Sequence, residues 1–155
     1  MQYSEGRIGR IFMIRIDDGE DLLESIQHFV VSHEIRSGLV LFLGAFRQGS
    51  LVTGPQELVI PPIPHFEHIT GGWEIFGIGT IYRGEGGPKI HYHMTAGKGK
   101  ESITGCLRDK ATIYLVIEAV LFEFLGIYGK KMEDPITGIT LPILKKDMQL
   151  NEKKR

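Results

Sequence analysis

A single helical period among many strand-like segments is the feature that most constrains this fold. Over residues 17–34 the apolar side chains recur at helical spacing, and Asp18 with Asp21 resembles a capping pair at the start. Elsewhere the chain is rich in β-branched and aromatic residues interrupted by glycine and proline. We therefore predict an α+β domain, in which one long N-terminal helix, from residue 20 to about residue 34, packs on a mainly antiparallel β-sheet.

The predicted strands follow from apolar periods and turn residues. Residues 39–46 are nearly all apolar, which is typical of a central strand covered on both faces. Gly49 and Gly54 predict a short hairpin around Leu51 and Val52, and the prolines of residues 60–64 predict a loop or an edge crossing. The remaining strands are predicted at residues 7–16, 73–82, 112–125 and 139–144, with a hairpin over residues 89–108.

Length and composition indicate one domain and argue against two classes of protein. A chain of 155 residues suits a single domain over residues 1–155, with a core at about residues 6–144 and a charged tail at 145–155. The net charge of −1 does not indicate a nucleic-acid-binding protein, which typically carries excess positive charge. The longest apolar stretches are too short to span a bilayer. One cysteine excludes an intramolecular disulfide, and the N-terminus lacks a signal-peptide pattern. These features predict a cytoplasmic location.

The motif His91-Tyr92-His93, followed by Cys106, is the strongest indication of chemistry. Side chains at i and i+2 of a strand point to the same face, so both imidazoles project together. A hairpin that turns at residues 96–100 brings Cys106 back beside them, and two imidazoles with a thiolate suit zinc, leaving a fourth position for water or substrate. The alternative is a solvated histidine pair and an ordinary buried cysteine. His65 and His68 are predicted to be surface residues.

Two further features around the hairpin bear on a ligand. Glu118 lies in an otherwise apolar strand, so it either faces solvent or pairs with a metal-bound water or a ligating histidine, where it is our candidate catalytic residue. Basic residues outnumber acidic ones between residues 83 and 110, which favours a small anionic ligand, although the lysines of the turn could serve solubility alone. The basic residues are Arg83, Lys89, Lys98, Lys100, Arg108 and Lys110.

The segment GRIFMIRIDDGEDLLESIQHFVVSHEIRSGLVLFLGAF, together with the later runs WEI, HYH, TGCL and EAVL, resembles the plants-and-prokaryotes-conserved (PPC) domain. The resemblance covers about residues 6–125. In many members the hairpin reads His-x-His followed by Gly-Gly-His-Leu, and the histidines are implied as zinc ligands. Here Cys106 stands in place of the third histidine. Cysteine is also a good zinc ligand, so the implied site is altered rather than lost, the alternative being that it binds no metal.

The resemblance also implies an assembly and competing functions. It implies a homotrimer of compact α+β subunits, and a fold similar to that of acetolactate decarboxylase, a zinc enzyme, which by analogy suggests a zinc-dependent lyase or hydrolase. Plant members bind AT-rich DNA through AT-hook peptides, but this chain has no Arg-Gly-Arg-Pro hook. If DNA is nevertheless the partner, the expected contacts are Arg83, Lys89, Lys98 and Lys100. A third alternative is a trimeric scaffold without ligand chemistry.

Overall fold

The computed structural model describes residues 1–146, so the predicted charged tail lies, from residue 147 onward, outside the described residues. Strands account for 68% of the structure and one short helix accompanies them, which agrees with an α+β class. None of the helices in residues 1–146 is long and apolar enough to cross a membrane. The elements are β1 (Arg7–Asp17), α1 (Leu22–Ser32), β2 (Gly38–Pro55), β3 (Pro64–Gly84), β4 (Gly87–Lys98), β5 (Glu101–Leu125), β6 (Tyr128–Glu133) and β7 (Thr140–Lys145).

The prediction of a long N-terminal helix is wrong, because α1 has only 11 residues. The Asp21 carboxylate accepts hydrogen bonds from two backbone N–H groups of the first turn, so the helix begins after this residue. At the other end Glu34 has a φ of 55°, a left-handed conformation that a continuing helix does not allow. The helix is held by its inner face, where Leu22, Ile26 and Val30 are buried.

Four strands form a closed circuit that carries the rest of the sheet. β2 pairs with β3 and β5, and β4 pairs with the same two strands, so each of the four has a partner along both edges. β1 extends this circuit beyond β5, and β6 with β7 extends it beyond β3. All these pairings are antiparallel except one parallel residue pair between β3 and β6. The largest fully buried side chains include Phe42, Phe46, Leu51, Ile113, Ile117 and Leu121.

Strand β2 corrects two predictions. The short hairpin around Leu51 and Val52 is wrong, because β2 runs through Gly49 without a turn and pairs with β3 on one edge and β5 on the other. The prediction that residues 39–46 are covered on both faces is also wrong, since Leu43 is 50% exposed whereas Phe42 is buried. The proline-rich segment forms the connection between β2 and β3, as predicted.

β5 pairs in turn with β4, β2 and β1, and two bulges give it the bends that this path needs. At each bulge two residues of β5 fall between consecutive partners on β2, and Asp109 and Leu115 there have positive φ angles of 56° and 64°. The connection between β1 and α1 fixes both bulges. Asp21 accepts a hydrogen bond from the Ala111 N–H at 2.7 Å, and Asp18 accepts one from the Leu115 N–H at 2.8 Å.

Candidate metal centre

The β4–β5 hairpin brings the three predicted ligands together. His93 and Cys106 are directly opposite each other in the antiparallel ladder, and His91 lies two residues before His93 on the same face. The hairpin turns between Lys98 and Glu101, as the sequence predicts. The ligand atoms of the three side chains all lie within 4.8 Å of one another. The His91 Nε2 atom is 3.1 Å from the Cys106 sulfur, and the two imidazole centroids are 4.9 Å apart.

This donor set fits a zinc ion. Zinc binds histidine nitrogen and cysteine sulfur at about 2.0–2.3 Å, so donors in a tetrahedron are separated by roughly 3.3–3.7 Å. The separations here extend from 3.1 Å to no more than 4.8 Å and therefore bracket that range. Three protein donors leave one position open, which is the arrangement of zinc sites that bind a ligand.

Burial sets the protonation of two of the three donors. It lowers the pKa of His91 to about 4, with further lowering by the charges of Lys131, His93 and Arg108. His91 is therefore neutral near pH 7 and has a lone pair to offer a metal. Burial raises the pKa of the Cys106 thiol, although the positive charges of Arg108 and Lys131 oppose this effect. Cys106 consequently carries its proton until a metal displaces it.

Lys131 is a site neighbour that sequence reasoning missed. It lies on β6, where burial lowers its pKa and a thiolate at Cys106 would raise it. Residues 128–133 read YGKKME, and too few of them are apolar to indicate a strand. Pairing with β7 and contact with β3 define this strand, so no local signal could have placed Lys131 beside the hairpin.

A cavity of about 680 Å³ opens onto the three ligands. Arg108 and Thr104 join the ligands along its polar side, and they lie two residues after and two residues before Cys106 on β5. The rest of the lining comes from the end of β2, from the start of β3, from the proline-rich connection between them, and from the segment before β7. The apolar residues of these walls are Val52, Pro55, Pro62, Pro64, Phe66 and Ile139.

The structure does not bring Glu118 to this cluster. Its side chain is exposed on the outer surface of the sheet, where its neighbours across the strands are Arg15 on β1 and Leu43 on β2. It is absent from the cavity walls among the described residues. Of the two alternatives for Glu118, the solvent-facing one agrees with this position, and its catalytic role stays a prediction.

The comparisons with known proteins agree with the fold described above. A family model of the Plants and Prokaryotes Conserved domain, abbreviated PCC or PPC, matches residues 3–125. The chain belongs to this family. The match takes in the PCC-domain segment from before β1 to the end of β5, and therefore all three candidate ligands. A search of curated proteins finds no significant match.

Solved structures with the PCC fold extend over nearly the whole chain. A metal-containing protein from Archaeoglobus fulgidus is 24% identical, with a TM-score of 0.82 over 92% of this chain and 99% of its own. A plant- and prokaryote-conserved protein from Pyrococcus horikoshii is 20% identical, with a TM-score of 0.79 over 94% and 99%. A predicted DNA-binding protein from Bacteroides thetaiotaomicron is 20% identical, with a TM-score of 0.74 over 93% and 99%. At these identities the likeness establishes the fold alone.

Proposed function

We propose that this PCC-domain protein binds one divalent metal ion, zinc, through His91, His93 and Cys106, and offers it to a small anionic ligand. The observation that carries the proposal is the convergence of three metal-binding atoms within 4.8 Å at one side of a cavity that Arg108 also lines. The metal-containing relative from Archaeoglobus fulgidus supports the presence of a metal in this fold. Zinc held there supplies Lewis acidity and a water of lowered pKa.

The chain's own groups would divide the remaining tasks. His91 would offer the metal a nitrogen lone pair of its neutral imidazole, because burial lowers its pKa to about 4. Cys106 gives up its thiol proton on binding, and the positive charges of Arg108 and Lys131 favour the thiolate that results. Arg108, which also lines the cavity, favours a ligand of negative charge there.

Metal analysis of protein purified without an affinity tag tests the proposal. We expect about one zinc per chain in the parent protein and its loss in His91→Ala and in Cys106→Ala. His65→Ala is the matched control, because His65 is exposed, pairs with Glu67, and belongs neither to the three-residue cluster nor to the cavity walls. Negligible metal in the parent, even after zinc is supplied, would contradict the proposal.

We propose a homotrimer as the assembled form, on the basis of the family resemblance and of one exposed surface. The outer sheet face is an apolar surface that crosses β1, β5, β2 and β3, and Met13, Phe76 and Leu43 on it are 76%, 62% and 50% exposed. Apolar patches of this kind commonly mark contact sites between subunits. Its members are Met13, Leu41, Leu43, Phe76, Ile78 and Val120. Light scattering should give three times the chain mass of 17.4 kDa, and the monomer mass at micromolar concentration would reject the trimer.

DNA binding is the second candidate, favoured by the relatives that are described as predicted DNA-binding proteins. The four expected contacts divide between two ends of β4: Arg83 and Lys89 flank one turn, and Lys98 and Lys100 flank the other. Lys98 follows Lys89 by nine positions along the strand, or roughly 30 Å, so the two pairs do not form one patch. A gel-shift series on AT-rich duplex with no binding at low salt would remove this candidate. A variant that lacks all three metal ligands and keeps full activity in cells would instead favour the third alternative, a trimeric scaffold without ligand chemistry.

A further inference from the structure

We infer that the cavity beside the metal site takes a monocarboxylate that carries an apolar group at least as large as one aromatic ring. The inference rests on the proposed function, since it names the class of anion that the site would receive. It follows from the three kinds of neighbour that Cys106 has on the surface of the sheet. These are a row of apolar residues, a cationic side chain and the two imidazoles.

The apolar side is built by direct cross-strand neighbours. Cys106 is opposite Val52 of β2, and Val52 is opposite Phe66 of β3, while the other neighbour of Cys106 is His93 of β4. Directly opposite residues share a face and have Cβ atoms about 4.5–5.5 Å apart. Val52 and Phe66 therefore continue the row of metal donors outward as an apolar floor. The prolines of the β2–β3 connection and Ile139 complete the walls around it.

The cationic side comes from the same strand as the thiol. Arg108 follows Cys106 by two residues, so the two side chains share a face, and both line the cavity. Arg108 makes no ion pair with any carboxylate of the described residues, although Asp109 is its neighbour in sequence. A guanidinium free of a carboxylate partner, at the edge of an apolar cavity, is suited to bind a carboxylate in a bidentate manner.

Size and charge together narrow the ligand class. A volume of about 680 Å³ lies within the range of small-molecule sites. No Asp or Glu lines this cavity, so a negative ligand meets no like charge there among the described residues. Because most of the remaining wall is apolar, a ligand with a single negative charge and a large apolar part loses less on leaving water than a dianion does. A carboxylate joined to an apolar group of ring size or larger meets both conditions.

Calorimetric titration of the zinc-loaded protein tests this with four probes. They are 3-phenylpropanoate, acetate, 3-phenylpropan-1-ol and phenyl phosphate. We expect 3-phenylpropanoate to bind roughly tenfold or more tightly than acetate, which lacks the apolar group, and than the alcohol, which lacks the charge. Equal binding of acetate or of the alcohol overturns the inference, and tighter binding of phenyl phosphate replaces the carboxylate with a phosphate ester.

Two variants separate the two halves of the site. With zinc supplied in excess, so that its content stays at about one per chain, Arg108→Gln should weaken the binding of 3-phenylpropanoate by roughly tenfold. Phe66→Ala should weaken 3-phenylpropanoate by roughly threefold or more and leave acetate unchanged. Arg36→Gln is the matched control, because Arg36 is exposed and outside the cavity. Absence of zinc from the parent overturns the proposed function. Zinc at about one per chain, with neither variant affecting 3-phenylpropanoate, overturns only this inference.

Discussion

The protonation of the candidate ligands predicts how zinc affinity changes with pH. The pKa of Cys106 is raised above its ordinary 9.0 by burial, so the thiol is protonated between about pH 7 and 8.5. His91, with a pKa of about 4, has no proton to lose in that range. Zinc binding must therefore displace one proton from Cys106, which makes the affinity rise about tenfold, or ~1.4 kcal/mol, for each pH unit.

Replacing the thiol isolates that proton from any released by metal-bound water. In Cys106→His the third donor is neutral over the same range, so the variant should release one proton fewer per zinc than the parent. Competition against a pH-calibrated chelating indicator gives the slopes, and calorimetry in two buffers of different ionisation enthalpy counts the protons directly. Equal slopes in the parent and in Cys106→His would refute the assignment of Cys106 as a ligand that binds as the thiolate.

Three further predictions concern stability. The Tyr92 hydroxyl is buried without a hydrogen-bond partner among the described residues, so Tyr92→Phe should raise the free energy of unfolding by about 1 kcal/mol, whereas Tyr114→Phe, at an exposed site, should leave it unchanged in denaturant melts. Asp21→Ala removes both the helix cap and the hydrogen-bond acceptor at the bulge, and should lower the free energy of unfolding by about 1–2 kcal/mol in the same assay. The hydrogen bond from Arg10 lowers the pKa of Glu123, so the stabilisation is present at neutral pH and lost as the pH falls through that pKa. Glu123→Gln should therefore lower the melting temperature at pH 7, by a margin that narrows below about pH 4.

Local sequence patterns predicted the parts of this fold that depend on residues close together in the chain. The period-two alternation predicted β1, and the spacing between His93 and Cys106 predicted their pairing, because a hairpin with a short turn fixes its own register. The ends of α1 were missed because one capping side chain and one left-handed residue determine them, and an apolar period detects neither. β2 was predicted to break at Gly49 because the ladders that keep it extended come from β3 and β5, far away in sequence.

The candidate site divides in the same way. Its three donors share one hairpin and were predictable, whereas the other cavity walls and Lys131 come from five other segments. Glu118 was a reasonable candidate, since a carboxylate in an apolar strand needs an explanation. Its actual position follows from the outer sheet face, which is exposed in a single chain, and a sequence pattern does not distinguish a buried apolar face from an exposed one.

The bulges of β5 also limit how this sequence can change in length. Cys106 must face the cavity, while Ile113 and Ile117, farther along the same strand, must face the core. Insertion or deletion of one residue between Cys106 and Ile113 would turn either Cys106 or the two isoleucines to the opposite face of the sheet. Each existing bulge adds two residues relative to β2, which preserves the alternation. Homologues that keep both the cavity and the core are therefore expected to differ here by even numbers of residues or not at all, and to place odd changes in the connections between strands.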